Sequence, residues 1–267
     1  MKALDSCPQV LLAQVMLLAL VLLLALMVAG CGRSGDEAAS PPAAGNGRPE
    51  PPRRVQRLGP KPSSILSEQL KVPFEIPNGG TLVLGVPEGV VPGNPLEAFQ
   101  RLFVVYESGA LLVDDLAVLS GRVKIQTPAE ALAFCRLKTS PVTYYLWGKG
   151  RVLSLEVVSR DQVNTGFCFG DKDKCASLKR LPSGYYGVVD SAADLRQHGI
   201  AAPSARATSE GFVVERTLLE GDPFELECDV VETRELVTRD GGYKLLSASK
   251  RPAPKIPGVT WVIPAIY

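Results

Sequence analysis

The rhythm of apolar and polar positions changes several times along this chain, and each change marks an element. Residues 10–30 are apolar at every position except Gln14, and residues 31–64 hold few large apolar side chains. From residue 65 onward, short apolar runs alternate with turn residues, which is a pattern of strands. Residues 81–86, TLVLGV, follow the turn Asn78-Gly79-Gly80. Residues 102–106, LFVVY, and 110–113 flank Glu107-Ser108-Gly109 and read as a hairpin, apolar enough to be covered on both faces. Residues 121–126 alternate, with Val123 and Ile125 on one side.

The strongest helix signal follows. Thr127-Pro128-Ala129-Glu130 is a capping box with proline at the first helical position. Ala131, Leu132, Phe134, Cys135 and Leu137 supply an apolar side, Arg136 and Lys138 suit the C-terminal end of the dipole, and the helix should stop by Ser140. Residues 142–147 and 151–158 predict a second hairpin across Gly148-Lys149-Gly150, and residues 185–189 a further strand. A short helix over 192–198 is capped by Asp190 or Ser191 and stopped by Gly199.

In the last third, residues 211–219, 224–237 and 243–249 are separated by two glycine-containing turns. Phe224, Leu226, Cys228 and Val230 share one face of the middle run, and Glu225, Glu227 and Asp229 the other, which predicts a strand with one wet face. The expected class is α+β: a mainly antiparallel sheet with one well-defined helix and a C-terminal three-stranded meander. This layout is similar to that of cystatin-like and nuclear-transport-factor-like folds, though no motif of either family is present, and layout does not transfer function.

The first apolar run ends in Val28-Ala29-Gly30 and then Cys31. That ending resembles the lipobox of bacterial lipoproteins. The resemblance implies cleavage after residue 30, acylation of Cys31, and a bacterial envelope protein anchored outside the cytoplasmic membrane. An uncleaved membrane span is the competing reading, because the 21 residues from 10 to 30 are enough to cross a bilayer. Signal peptides have shorter apolar cores, and residues 15–28 fit that window. Two or more acyl chains on one cysteine hold a protein to a membrane stably.

Residues 32–64 contain seven prolines among glycine, alanine, serine and arginine, so they form no core and read as a tether. Fully extended, such a segment reaches roughly 100 Å. The organisation is therefore a signal over 1–30, an acylated cysteine and tether over 31–64, and an α+β domain over 65–267, with 140–165 the place for a subdomain break. Six cations and three anions give the tether +3, residues 1–31 sum to zero, and the whole chain is +1, so the domain stands at −2. A near-neutral domain without a basic block gives nucleic acid no electrostatic footprint.

Four cysteines belong to the domain: Cys135, Cys168, Cys175 and Cys228. An even number outside the cytoplasm favours disulfides. Cys168 and Cys175 bracket a polar stretch that reads as a clasped surface loop, and Cys135 and Cys228 are candidates to meet in the core, with two buried free thiols as the alternative. No CxxC is present and His198 is the only histidine, which argues against zinc.

Chemistry is sparse. No GxSxG, HExxH, P-loop or dinucleotide fingerprint occurs, so no cofactor is expected. His198, at a predicted helix end, suits a dipole partner better than a base. Asp114-Asp115 and the Glu225, Glu227, Asp229 row are the candidates for paired carboxylates. Tyr144 and Tyr186 are candidates for a ligand platform, with cross-strand packing as the alternative. The expected function is a non-catalytic binding or structural module, with the membrane and an envelope protein or polymer as partners. The alternative is a membrane-tethered, carboxylate-dependent hydrolase of envelope polymer.

Overall fold

A computed structural model describes residues 58–62, 67–86, 101–141, 143, 153–221 and 227–263. All of them fall in one compact unit, Arg54–Tyr267. The expected class is what forms: mainly antiparallel sheets with one long helix and a three-stranded meander at the C-terminal end.

Strands β1 (Ser67–Gln69), β2 (Thr81–Gly85), β3 (Arg101–Tyr106) and β4 (Gly109–Val113) make an antiparallel sheet in chain order. The hairpin predicted over 102–113 is β3–β4, and Leu102, Phe103 and Val104 are all buried, so its apolar run is covered on both faces. Residues 121–126 do not join a ladder. Gly121 and Arg122 close a turn, and the residues after them pass beside the sheets, where Lys124 bridges to Glu75 and the Ile125 N–H donates to the Arg239 carbonyl, and Val123 and Ile125 are buried in the core.

Helix α1 (Pro128–Thr139) starts as the sequence predicts. The Thr127 hydroxyl accepts from the Glu130 N–H, and the Glu130 carboxylate accepts from the Gln126 N–H, one residue before the cap. Ala131, Phe134, Cys135 and Leu137 are fully buried. Phe134 meets Phe74 edge to face at 5.9 Å and joins the helix to the core of the first sheet. Truncating such a ring to alanine costs about 3–5 kcal/mol.

Next come β5 (Leu153–Glu156), β6 (Val158–Ser159), α2 (Lys172–Arg180), β7 (Val188–Val189), α3 (Ala192–Gln197) and β8 (Ser204–Ala207). Of the predicted hairpin over 142–158, residues 142 and 144–152 lie outside the described residues, and β5 pairs with the meander. The strand predicted over 185–189 shrinks to β7, which pairs parallel with β6, because Gly184, Tyr186 and Gly187 all hold positive φ and break the extended run. The second half of the stretch expected as a surface loop between the clasped cysteines is helical: Asp171 caps α2 through the N–H groups of Asp173 and Lys174, and Cys175 lies inside the helix. Four residues of lysine and aspartate conceal that helix from an apolar-pattern reading. α3 is capped by Ser191, and Gly199 follows it at φ +72, as expected.

The meander is β9 (Phe212–Gly221), β10 (Cys228–Val237) and β11 (Tyr243–Pro252), all antiparallel. The sheet order is β11-β10-β9-β5, and β8 shares with β5 the same edge of β9. β8 pairs with β9 as far as Glu215 and β5 takes over from Leu218. At that junction the buried face of the sheet changes. One face carries Phe212, Val214 and Val237 into the main core with α1. The opposite face carries Leu219, Val230 and Leu155 into a second core with Leu195, Ile256 and Ile263. Of the middle strand predicted with a single wet face, residues 224–226 lie outside the described residues, and at its described start Cys228 and Asp229 are half-buried and Val230 buried. Beyond Val230 the buried parity switches to Val231, Thr233, Glu235 and Val237.

Candidate functional site

The junction in β9 falls at Arg216, a buried side chain whose guanidinium makes four hydrogen bonds. Its Nε and Nη2 donate to the two oxygens of Glu235, each at 2.9 Å. Its Nη1 donates to Thr139 Oγ1 at 2.6 Å and to Glu156 Oε2 at 3.2 Å. Glu156, fully buried, also accepts from Arg136, whose Nη2 lies 2.8 Å from Oε1 and whose guanidinium rests 5.2 Å from the Phe167 ring centre. The Tyr243 hydroxyl donates to Glu235 Oε1 at 3.0 Å. Register explains the row: β5, β9 and β10 set these positions diagonally across one sheet face, and α1 lays Thr139 and Arg136 over it.

Two guanidinium groups and two carboxylates balance in charge, so the row is neutral as a unit. Burial alone lowers the tendency of Arg216 to hold its proton; the facing carboxylates of Glu235 and Glu156 outweigh it and keep the guanidinium charged. Burial and then Glu235 push the Tyr243 phenol above its ordinary value. Burial likewise raises the Cys135 thiol well above the usual range, so it stays protonated and unreactive. Arg216, Glu156 and Glu235 are sealed from solvent, while Arg136 and Tyr243 are half-buried at the ends of the row. Its chemistry is to clamp α1 onto the sheet at the point where the two cores meet.

On the other face of the same strands the sheet is open to water. A groove of about 360 Å³ lies there, floored by Glu215, Thr217, Glu232, Arg234, Ser247 and Ser249 and walled on one side by Gly199, Ala201, Ala202 and Ser204. Two ion pairs cross the floor, Glu215 with Arg234 and Glu232 with Arg251, each at 3.5 Å. Arg251 Nη2 also donates to the Gly199 carbonyl at 3.2 Å and to the His198 carbonyl at 3.4 Å, which fastens the end of α3 to the floor. Exposed pairs of this kind contribute about 0–1 kcal/mol, so a ligand can exchange for them. Carboxylates, guanidinium groups and hydroxyls side by side offer donors and acceptors to a polar, hydrogen-bonding ligand; the only apolar lining is alanine.

The residues singled out from sequence scatter across the domain. Cys31, Tyr144 and Glu225 lie outside the described residues. Tyr186 is no exposed platform: it sits half-buried between the two cores, and its N–H donates to Val262. Cys168 and Cys175 form a disulfide with Cα atoms 5.7 Å apart. Cys135 and Cys228 do not pair and both are free. The reason is the change of buried face, which sends Cys135 to the main core and Cys228 to the second. His198 caps α3 through its backbone. Asp115 caps a short 3-10 turn at Leu116–Leu119 through the Ala117 N–H, at 2.8 Å, while Asp114 and Glu227 are exposed. Among the described residues no group of three or more histidine, cysteine or acidic side chains is placed to hold a metal.

The buried row and the groove were not anticipated. A signal was present in Glu232-Thr233-Arg234-Glu235-Leu236: charges at both parities of a strand with one buried face put one of them inside. Among the described residues no helix is long and apolar enough to cross a membrane. The chain matches no family model, and neither the curated proteins nor the solved structures contain a match to it.

Proposed function

We propose that this is a lipid-anchored protein of a bacterial envelope whose tethered α+β domain is a non-catalytic binding module. The anchor rests on Val28-Ala29-Gly30-Cys31 at the end of the apolar run, and the spacer on the proline-rich residues after it. The observation that carries the binding reading is the groove on the wet half of the meander, a concave polar floor held in place from below by the Arg216 row. Its hydroxyls and exchangeable ion pairs suit an envelope polymer rich in hydroxyl and amide groups.

Cosedimentation of the full chain with insoluble envelope polymer tests this. The wild-type chain should pellet with the polymer, and Ser249→Trp, which fills the groove from an exposed position, should lower the bound fraction at least tenfold. Release of soluble polymer fragments, lost on substituting Asp114, Asp115 and Glu227, would instead establish the hydrolase. Intact mass of the membrane-extracted protein tests the anchor: residues 1–30 should be missing and Cys31 should carry acyl mass.

A further inference from the structure

The edge of the C-terminal sheet carries a second, separate inference, which does not depend on the groove or on the lipid. β11 is ten residues long, it ends the sheet order, and among the described residues its one strand neighbour is β10. Residues 244–250 are all exposed. Sheet proteins ordinarily blunt such an edge by shortness, bulges, proline or charge. Here a register shift opposite Arg234 and Glu235 disturbs one end and Pro252 closes the other. Between them Ser247-Ala248-Ser249 is regular, small-chained and exposed.

The direction of the free groups follows from the ladder. Ala253 N–H donates to the Cys228 carbonyl, which makes Arg251, Ser249 and Ser247 the residues bonded to β10. Ala248 and Lys250 then turn their N–H and C=O outward. Thr238 N–H donating to Gly242 sets the phase at the other end and turns Leu245 outward as well. Leu245 and Leu246 are two of the three large apolar side chains exposed among the described residues, and both sit at this end of the edge.

We propose that β11 is a docking edge, to which an extended acidic segment of a partner protein adds antiparallel or parallel as a further strand. Charge selects the partner. β11 contains Lys244, Lys250 and Arg251 and no acid. Full antiparallel self-pairing would set Lys244 against Arg251, so a second copy is disfavoured. An acidic strand with apolar residues faces cations along the edge and leucines at its end. The internal pairs of Lys250 with Asp229 and Arg251 with Glu232 are exposed enough to exchange.

Two fluorescein-labelled heptapeptides test the proposal on the full chain in detergent, one alternating Val and Glu and one alternating Val and Lys. The Val-Glu peptide should raise the anisotropy and bind at least tenfold tighter than the Val-Lys peptide. Ala248→Pro, which deletes one outward N–H and leaves the β10 ladder intact, should weaken binding at least tenfold; Lys244→Glu with Lys250→Glu should reverse the preference. Hydrogen exchange on the wild-type chain is a readout that does not depend on a variant folding. The Ala248 and Lys250 amides should slow when the Val-Glu peptide is added. No binding, equal binding of both peptides, protection elsewhere, or a dimer that protects these amides without peptide would each overturn it.

Discussion

Arg216 and Glu235 face each other edge to edge in the interior, with Nε and Nη2 each 2.9 Å from a carboxylate oxygen and both side chains sealed from water. Breaking a buried pair on one side leaves a charge in a poorly polarisable environment, which costs about 3–5 kcal/mol. Arg216→Met should therefore lower the urea midpoint by that equivalent. Arg216→Met with Glu235→Leu should lose less than the two single changes summed, because neither charge is left alone. Strict additivity in the cycle would contradict the coupling.

Tyr243 adds a pH limb to the same row. Its phenol donates to Glu235, and burial followed by the Glu235 charge raises it above the unfolded value of about 10. A group raised in the folded state stabilises fully below its unfolded value, and that contribution is lost as the pH climbs toward the folded one. Stability of the wild-type chain should fall above about pH 10. Tyr243→Phe should cost about 1 kcal/mol at neutral pH and flatten that decline, measured by chemical unfolding across the alkaline range.

The thiols separate cleanly by place. A thiol-selective count on unfolded, unreduced protein should find two free thiols among the domain's four cysteines, Cys135 and Cys228. In the native state only Cys228, half-exposed, should react with a thiol reagent, and slowly, because burial and then Asp229 raise its thiol. Cys135 should react only on unfolding. Cys168→Ser should destabilise by about 2.5 kcal/mol, the loop-closure value for so short a ring.

Gly184 holds the C-terminal segment in place. It sits at φ +100, and a side chain there would overlap the Thr260 carbonyl. Its N–H donates to Val188 and its carbonyl accepts from Val262, so it ties the 183–188 turn to the segment that closes the second core with Ile263. Gly184→Ala should cost roughly 1–3 kcal/mol of backbone strain plus the displaced contact. Thermal unfolding should shift down, and hydrogen exchange should rise around Val262 before the β2–β3 ladder.

What the chain states locally, it states well. Thr127-Pro128-Ala129-Glu130 specifies the start of α1, Ser191 and Gly199 bound α3, and Glu107-Ser108 turns β3 into β4, because caps and turns are settled by residues within a few positions of one another. α2 escaped notice because its run KDKCASLKR holds only Cys175 and Leu178 as buried residues, too few to show a period. The cysteine ring of 168 and 175 was legible for the same reason as the caps: seven positions of separation leave the two little freedom to be apart.

The sequence by itself determined the mixed class, the main helix, the meander and the short disulfide, all products of local geometry and short loops. Only the tertiary structure decided which face of the meander is inside. That choice depends on β8 and β5 dividing one edge of β9 and on two cores forming on opposite faces, contacts between residues about 60 positions apart in the chain, as Arg216 and Glu156 are. Side-chain alternation has two phases, and nothing local selects between them; packing against distant elements does. The same switch of face separates Cys135 from Cys228, buries Arg216 with Glu235, and leaves the groove and the β11 edge open to water.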